Sequence, residues 1–314
     1  MLNVSTNKQV IFLMGPTAAG KTSLAIKLAT QFPIDIISVD SAMIYTGMNI
    51  GTGKPNATEL GLAPHALIDI LDPSQIYSAA DFCKAALHHM QQSHSNARIP
   101  VLVGGSMMYF KALQYGLSNL PAQNQELRDQ ILQQAAQFGW EHLHDKLAKI
   151  DLDTARRIHR NDSQRIQRAL EIIYLTGMPM SESLNKHASP LAEWQIHLFA
   201  LAPSTRATLH ANIQARFNTM LQQGFIAEVQ DLFKRSDLHI NLPALRAVGY
   251  RQIWEYLNNH TSCTAMQDKV LAATRQLAKR QLTWLRSWDN LTWLESNNAK
   301  NIELMRIPNL LQVS

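Results

Sequence analysis

Two cysteines, Cys83 and Cys263, are all that 314 residues contain. That excludes a disulfide scaffold and a cysteine-rich zinc module. Glycine and proline are ordinary, at 13 and 12 residues, and no G-X-Y period runs through them, so a fibrous chain is excluded. Charged residues make up only 17% against 46% hydrophobic, the opposite of a disordered composition. No stretch reaches the ~18 apolar residues that span a bilayer. The opening MLNVSTNKQVIFLMG has no small-residue cleavage signal. The expectation is a cytoplasmic protein without a membrane partner, long enough for one large domain or two.

Acids are short in one half. Residues 1–150 hold 10 Lys+Arg and 10 Asp+Glu; residues 151–314 hold 19 and 14. The whole surplus of the +5 chain therefore lies in the second half. A cationic half accommodates an anionic partner, although a merely basic surface gives the same count.

Val10 to Met14 is a short apolar run stopped by Gly15, and Ile34 to Val39 is another, ending at Asp40. Pro100 to Val103 is a third, ending in Gly104-Gly105. Continuous apolar runs of this length predict strands of a parallel sheet buried on both faces. Helices are expected between them at 21–31 and 77–92, the latter capped by Ser78 with Asp81 three residues on. The fold class is α/β: a P-loop-type parallel sheet flanked by helices, residues 1–120 and 191–314, with an all-helical insertion over 121–190. A returning strand is expected at 193–201, helices near 204–223, 225–235 and 264–288, and an edge strand at 290–295.

Gly15-Pro16-Thr17-Ala18-Ala19-Gly20-Lys21-Thr22 fits G-x-x-x-x-G-K-[ST] between the first strand and the first helix. Such a loop turns backbone N–H groups onto a phosphate; Lys21 supplies charge and the Thr22 hydroxyl can hold Mg²⁺. The motif specifies a phosphate or diphosphate, and not which compound carries it. Asp40, at the end of a buried strand, is an acid of the kind that holds Mg²⁺ in an ATPase, or merely caps a turn. The glycine pair before Ser106 permits close backbone approach or only a tight turn. A guanine reader N-K-x-D is missing; Asn185-Lys186-His187-Ala188 lacks the acid.

Arg156, Arg157, Arg160, Arg165 and Arg168 crowd residues 154–168 against one acid, Asp162. Lys269, Arg275, Lys279, Arg280 and Arg286 lie in a stretch with Trp284 and Trp288 and no acid, and Arg246, Tyr250 and Arg251 form a third group. Guanidinium groups with interleaved aromatics suit single-stranded or looped nucleic acid. For each segment alone a solvated helix face is the commoner explanation, and Trp284 and Trp288, one turn apart, could simply be core. The twelve histidines show no zinc-enzyme spacing.

Taken in order, GPTAAGKTSLA, IISVDSAMIYTGMNIGTGKP, PHALIDILDPSQIYSAADF, IPVLVGGSMMYFKAL, NDSQRIQRALEI, LRAVGYRQIWEYL and ATRQLAKRQLTWLR resemble the bacterial tRNA dimethylallyltransferases over most of the chain. The resemblance implies transfer of a dimethylallyl group from dimethylallyl diphosphate to N6 of adenosine 37, beside the anticodon, by a monomer gripping the tRNA anticodon stem-loop. It implies Asp40 as general base and Ser106, where the family usually has Thr, at the reacting centre. Arg216 corresponds to a second diphosphate contact, with Mg²⁺ on Thr22. It places tRNA contacts at Asp40, Ser41, Ala42, Met43 and Ser106, and at Arg128. Further contacts are implied at Gln164, Arg165, Ile166, Gln167 and Arg168, and at Arg246, Ala247, Val248, Gly249, Tyr250 and Arg251. The last group is Lys279, Arg280, Gln281, Leu282, Thr283, Trp284, Leu285 and Arg286. The family's loop is also labelled ATP-binding; the residues here support diphosphate, with ATP as a competitor. A small-molecule or nucleoside kinase and a non-enzymatic RNA-binding protein are the alternatives.

Overall fold

Alternate residues of a strand face opposite sides of its sheet, and the first strand is apolar at every step from Val10 to Met14. In a computed structural model, which describes residues 8–118, 120–183 and 189–305, Val10, Phe12 and Met14 enter one core while Ile11 and Leu13 enter another. The strand is β1, Lys8–Met14. It is followed by α1, Lys21–Ala29, β2, Ile34–Val39, α2, Ala57–Leu62, and the two-residue β3, His65–Ala66. Then come α3, Ala79–Ser95, β4, Ile99–Gly104, and α4, Met107–Tyr115.

After the inserted residues the sheet resumes with β5, Trp194–Ala202, and ends with β6, Thr292–Glu295. The order is β3-β2-β4-β1-β5-β6, with every pair parallel. The expected sheet is therefore present, and both of its faces are covered, as a parallel sheet requires. Helices α3 and α4 supply Phe82, Ala86, Met90 and Phe110 to one face; α1 supplies Leu24, Ala25 and Leu28 to the other. Ser78 caps α3 through the reciprocal bonds with Asp81 that its sequence predicted.

The chain forms two compact units, residues 1–114 with 191–314, and residues 115–190. The boundary lies at Tyr115, earlier than the 121 expected, because α4 runs to Tyr115 and Gly116 then takes a positive φ of 83° that ends it. The second unit is helical: α5, Gln125–Phe138, α6, Trp140–Ile150, α7, Leu152–Arg157, α8, Ser163–Thr176, and α9, Met180–Ser183. Ile166, Leu170 and Ile173 form the apolar stripe of α8 at helical spacing and meet Ile131, Leu143 and Leu147. Asn185 to Ala188 lie outside the described residues.

The remaining elements are α10, Arg206–Gln222, α11, Phe225–Phe233, α12, Tyr250–Leu257, α13, Cys263–Arg286, and α14, Asn301–Met305. Helices α10 to α13 build a third core around Phe217, Phe225, Trp254 and Met266, into which the long β2–α2 connection inserts Ile44, Tyr45 and Met48. Helices α4 and α12 lie in stretches that sequence left unassigned. α4 is short and apolar on most sides. α12 shows in sequence only as a cationic patch, although Tyr250, Ile253 and Trp254 bury one face. No helix among the described residues is long and apolar enough to cross a membrane.

Candidate active site

The carboxyl ends of parallel strands are where a doubly wound sheet presents its loops, and three of these ends meet here. A cavity of about 580 Å³, within the usual range for ligand sites, opens above β1, β2 and β4. Thr17, Ala18, Lys21 and Thr22 line it from the phosphate loop, Asp40 to Met43 from the end of β2, and Gly104 to Ser106 from the end of β4. Gly15, Pro16 and Ala19 are buried beneath.

Ala18 and Gly20 both take positive φ, 62° and 87°. Such a run of backbone makes the concave N–H nest that binds anions, and α1 begins directly behind it. Gly15 is required by proximity, since a Cβ there would meet the carbonyl of Leu201. Lys21 donates to the Pro16 carbonyl at 2.8 Å, and Arg216, reaching in from α10, donates to the Thr52 carbonyl at 2.9 Å. Gly53 leaves room for that guanidinium; a Cβ would collide with it.

Lys21 and Arg216 line the same cavity and repel each other. Burial, and then the Arg216 charge, hold the Lys21 ammonium down to about 8, while Asp40 opposes the shift. Arg216 is likewise lowered by burial and raised by Asp40. Among the described residues neither cation forms an ion pair with a carboxylate. Two under-neutralised cations beside an N–H nest make a site for a multiply charged anion.

The Asp40 carboxylate is fixed by its own loop: Oδ1 accepts from the N–H groups of Ala42 at 2.8 Å and Met43 at 3.3 Å. Both bonds fall on one oxygen. Ser106 stands beside it, its Oγ accepting from the Ser41 N–H at 3.1 Å. A Cβ on Gly104 would strike the Val39 carbonyl, so this glycine pair is required by close approach and is more than a tight turn.

No cluster of three or more His, Cys, Asp or Glu residues able to hold a metal occurs among the described residues. The Thr22 hydroxyl and the Asp40 carboxylate do share the cavity. Hard oxygen donors, few in number and next to a phosphate site, match the way Mg²⁺ is held, mostly by waters and substrate phosphates.

Other implied residues are distributed differently. Arg246 to Tyr250, Arg280, Gln281 and Trp284 line the cavity. Arg251, Lys279, Thr283 and Arg286 are exposed and do not line it. Arg128 and Gln164 to Arg168 belong to the second unit. Three residues implied as tRNA contacts are corrected. Ile166 and Leu285 are 0% exposed within hydrophobic cores, so neither side chain can meet an RNA. Tyr250 is also 0% exposed; it forms cavity wall and its hydroxyl donates to Glu228 at 2.5 Å. Leu282 packs partly buried against the core. Trp288 is core too, donating to Gln114 at 2.7 Å, whereas Trp284 is 36% exposed with the Lys111 ammonium 5.2 Å from its ring centre.

Sequence reasoning missed Glu228. Its carboxylate accepts from the N–H groups of Asn49 at 2.8 Å, Ile50 at 2.7 Å and Gly51 at 3.1 Å. It thereby fixes the segment that carries Thr52 and Gly53 to Arg216. Nothing in its local pattern distinguishes it from a solvent-facing helix acid. Lys54, donating to Tyr45, Asn49 and Asp69, secures the same connection from the other side.

Residues 43–288 match the family described as IPP transferase. Among solved structures, the chain is similar to the full-length tRNA isopentenylpyrophosphate transferase of Bacillus halodurans. They share 34% identity and a TM-score of 0.69 over 97% of this chain and 96% of that one. It is similar to the tRNA delta(2)-isopentenylpyrophosphate transferase of Staphylococcus epidermidis, with 29% identity and a TM-score of 0.68 over 97% and 99%. A eukaryotic dimethylallyltransferase acting on tRNA, at 24% identity and a TM-score of 0.77 over 97% and 78%, shares the fold.

Proposed function

The chain belongs to the IPP transferase family, and from that premise we propose that it transfers a dimethylallyl group from dimethylallyl diphosphate to N6 of adenosine 37 in tRNA, releasing diphosphate. It is an enzyme, a tRNA prenyltransferase. The observation that carries this reading is the cavity itself: an anion nest, two mutually repelling cations and one fixed carboxylate face the same space.

The N6 lone pair of adenine is delocalised into the ring, so the amine attacks carbon poorly until its proton is drawn away. Asp40 accepts that proton as N6 bonds to C1 of the donor and the C1–oxygen bond to diphosphate breaks. The electron pair of the broken bond goes to diphosphate, whose growing charge meets the loop N–H groups, Lys21 and Arg216. Thr22, with the diphosphate, would hold Mg²⁺, which supplies further charge neutralisation on the leaving group when bound. The loop thus receives a leaving group, and no phosphoryl group moves. Ser106 secures the Ser41 backbone next to the base, a bond that needs only its hydroxyl.

To reach Asp40 the adenine leaves its stack, at a cost of a few kcal/mol. We assign recognition of the anticodon stem-loop to Arg246, Arg280 and Trp284 at the cavity and to the exposed Arg251, Lys279, Arg286 and Arg165. The test is incubation with unmodified tRNA and labelled donor, followed by nucleoside mass spectrometry. Prenylated adenosine and one diphosphate per product are expected, with ATP left intact. ATP hydrolysis without prenylation would overturn the reading in favour of a kinase-like enzyme.

A further inference from the structure

Gln281 lies on α13 between Arg280 and Leu282, in the stretch whose resemblance implies tRNA contacts. Its side chain goes elsewhere. It is 8% exposed; Oε1 accepts from the Thr17 N–H at 2.9 Å and Nε2 donates to the Gly105 carbonyl at 2.9 Å. One amide therefore joins the phosphate loop after β1 to the glycine turn after β4. The bonds continue. Ser106, next to Gly105, donates its N–H to the Val39 carbonyl at 3.2 Å and accepts from the Ser41 N–H at 3.1 Å. Val39 and Ser41 flank Asp40. The close approach is built into the backbone, because a Cβ on Gly105 would press on Gln281 Nε2.

We propose that Gln281 is a positioning residue that fixes the phosphate loop against the Asp40 turn, and so sets the distance between leaving group and general base; it is not a tRNA contact. This rests on the transferase reading above. Displacement at C1 needs the attacking nitrogen and departing oxygen in line, so a shift of the loop relative to the base lowers the rate even when both substrates bind. A neutral amide is the side chain that fits. It accepts from one peptide and donates to the other. A carboxylate would lose the Gly105 bond and add negative charge beside the diphosphate; a lysine could not accept from Thr17.

Gln281→Met keeps the length of the side chain and removes both bonds. The measurements are calorimetric affinity for inorganic diphosphate, affinity for a synthetic anticodon stem-loop, the transfer rate at saturating substrates, and the thermal midpoint. Diphosphate affinity is expected to fall about tenfold and the saturated rate by about 10- to 100-fold, with stem-loop affinity unchanged. Gly105→Ala leaves Gln281 in place but pushes its amide aside, and should reproduce the same pattern. Loss of stem-loop affinity with diphosphate binding preserved would overturn the proposal, as would wild-type diphosphate affinity and rate in Gln281→Met. Failure of the wild-type enzyme to prenylate tRNA would instead overturn the transferase reading, while the diphosphate arm still tests the tether.

Discussion

Arg168 and Glu171, one turn apart on α8, are bonded at 2.8 Å, and the carboxylate is wholly buried. Glu171 also accepts from Asn124 N–H at 2.8 Å and from Arg128 at 3.3 Å, while Arg168 donates to the Pro121 carbonyl at 2.7 Å. Two arginines expected to grip tRNA thus also hold the helical unit together. Arg168→Ala leaves a buried carboxylate short of a partner and should destabilise that unit by about 1–3 kcal/mol. Arg165 is different: its side chain is 68% exposed and its pairing with Asp162 is long, at 3.5 Å. Arg165→Ala should cost little stability and should weaken stem-loop binding with a salt slope shallower by about one. Thermal unfolding and binding titrations at several salt concentrations separate the two. Equal stability loss in both variants would contradict this division.

Asp40→Asn retains a side-chain acceptor for Ala42 and Met43 and removes the proposed base. Transfer should fall by about 10²–10⁴-fold, with stem-loop and diphosphate binding little altered. Single-turnover kinetics checks it, and undiminished turnover would remove Asp40 from the proton step.

Lys21 is held down to about 8, so its charge is lost as pH rises through that value. In the proposed reaction the charged form is the one that binds diphosphate. kcat/KM for the donor should therefore decline above about pH 8. Arg216→Met removes the repulsive neighbour and should move that decline to higher pH, although overall affinity drops. A limb that stays in place would assign the titration to another group.

Glu228→Gln offers a single acceptor oxygen where the carboxylate serves three N–H groups and the Tyr250 hydroxyl. Stability should fall by about 1–3 kcal/mol, and Tyr250→Phe by about 1 kcal/mol. Their double-mutant cycle should show non-additivity, since the two share one bond. Additive effects would mean that the hydroxyl and the carboxylate act separately.

Chelation of divalent ions should suppress transfer, and Mg²⁺ should restore it. Thr22→Val should raise the Mg²⁺ concentration needed for half-maximal rate while leaving stem-loop binding intact. An enzyme fully active in chelator would exclude the metal.

Local chemistry made much of this legible in the sequence. Short apolar runs ending in Gly15, Asp40 and Gly104 marked three sheet strands, because runs of that length rich in β-branched residues and stopped by glycine or a turn suit a strand buried on both faces. The glycine–lysine loop and the Ser78–Asp81 cap are short-range patterns, and their geometry is settled within a few residues. Chain neighbours did not reveal what distant segments do for one another. Arg216, Glu228 and Gln281 lie far along the chain from the loops they serve; Arg216 and Gln281 are singled out by resemblance alone, and Glu228 has no local signal at all. Ile166 and Leu285 sat within cationic stretches that looked like surface, yet their helices turn them into cores. An α/β sheet with a G-x-x-x-x-G-K-[ST] loop and a carboxylate at a strand end can be read from neighbouring residues, because backbone conformation and periodicity are local. Which cations share the cavity, which arginines are already engaged, and which side chain ties the phosphate loop to the glycine turn beside Asp40 are matters of long-range packing, because they depend on which distant atoms folding brings into contact.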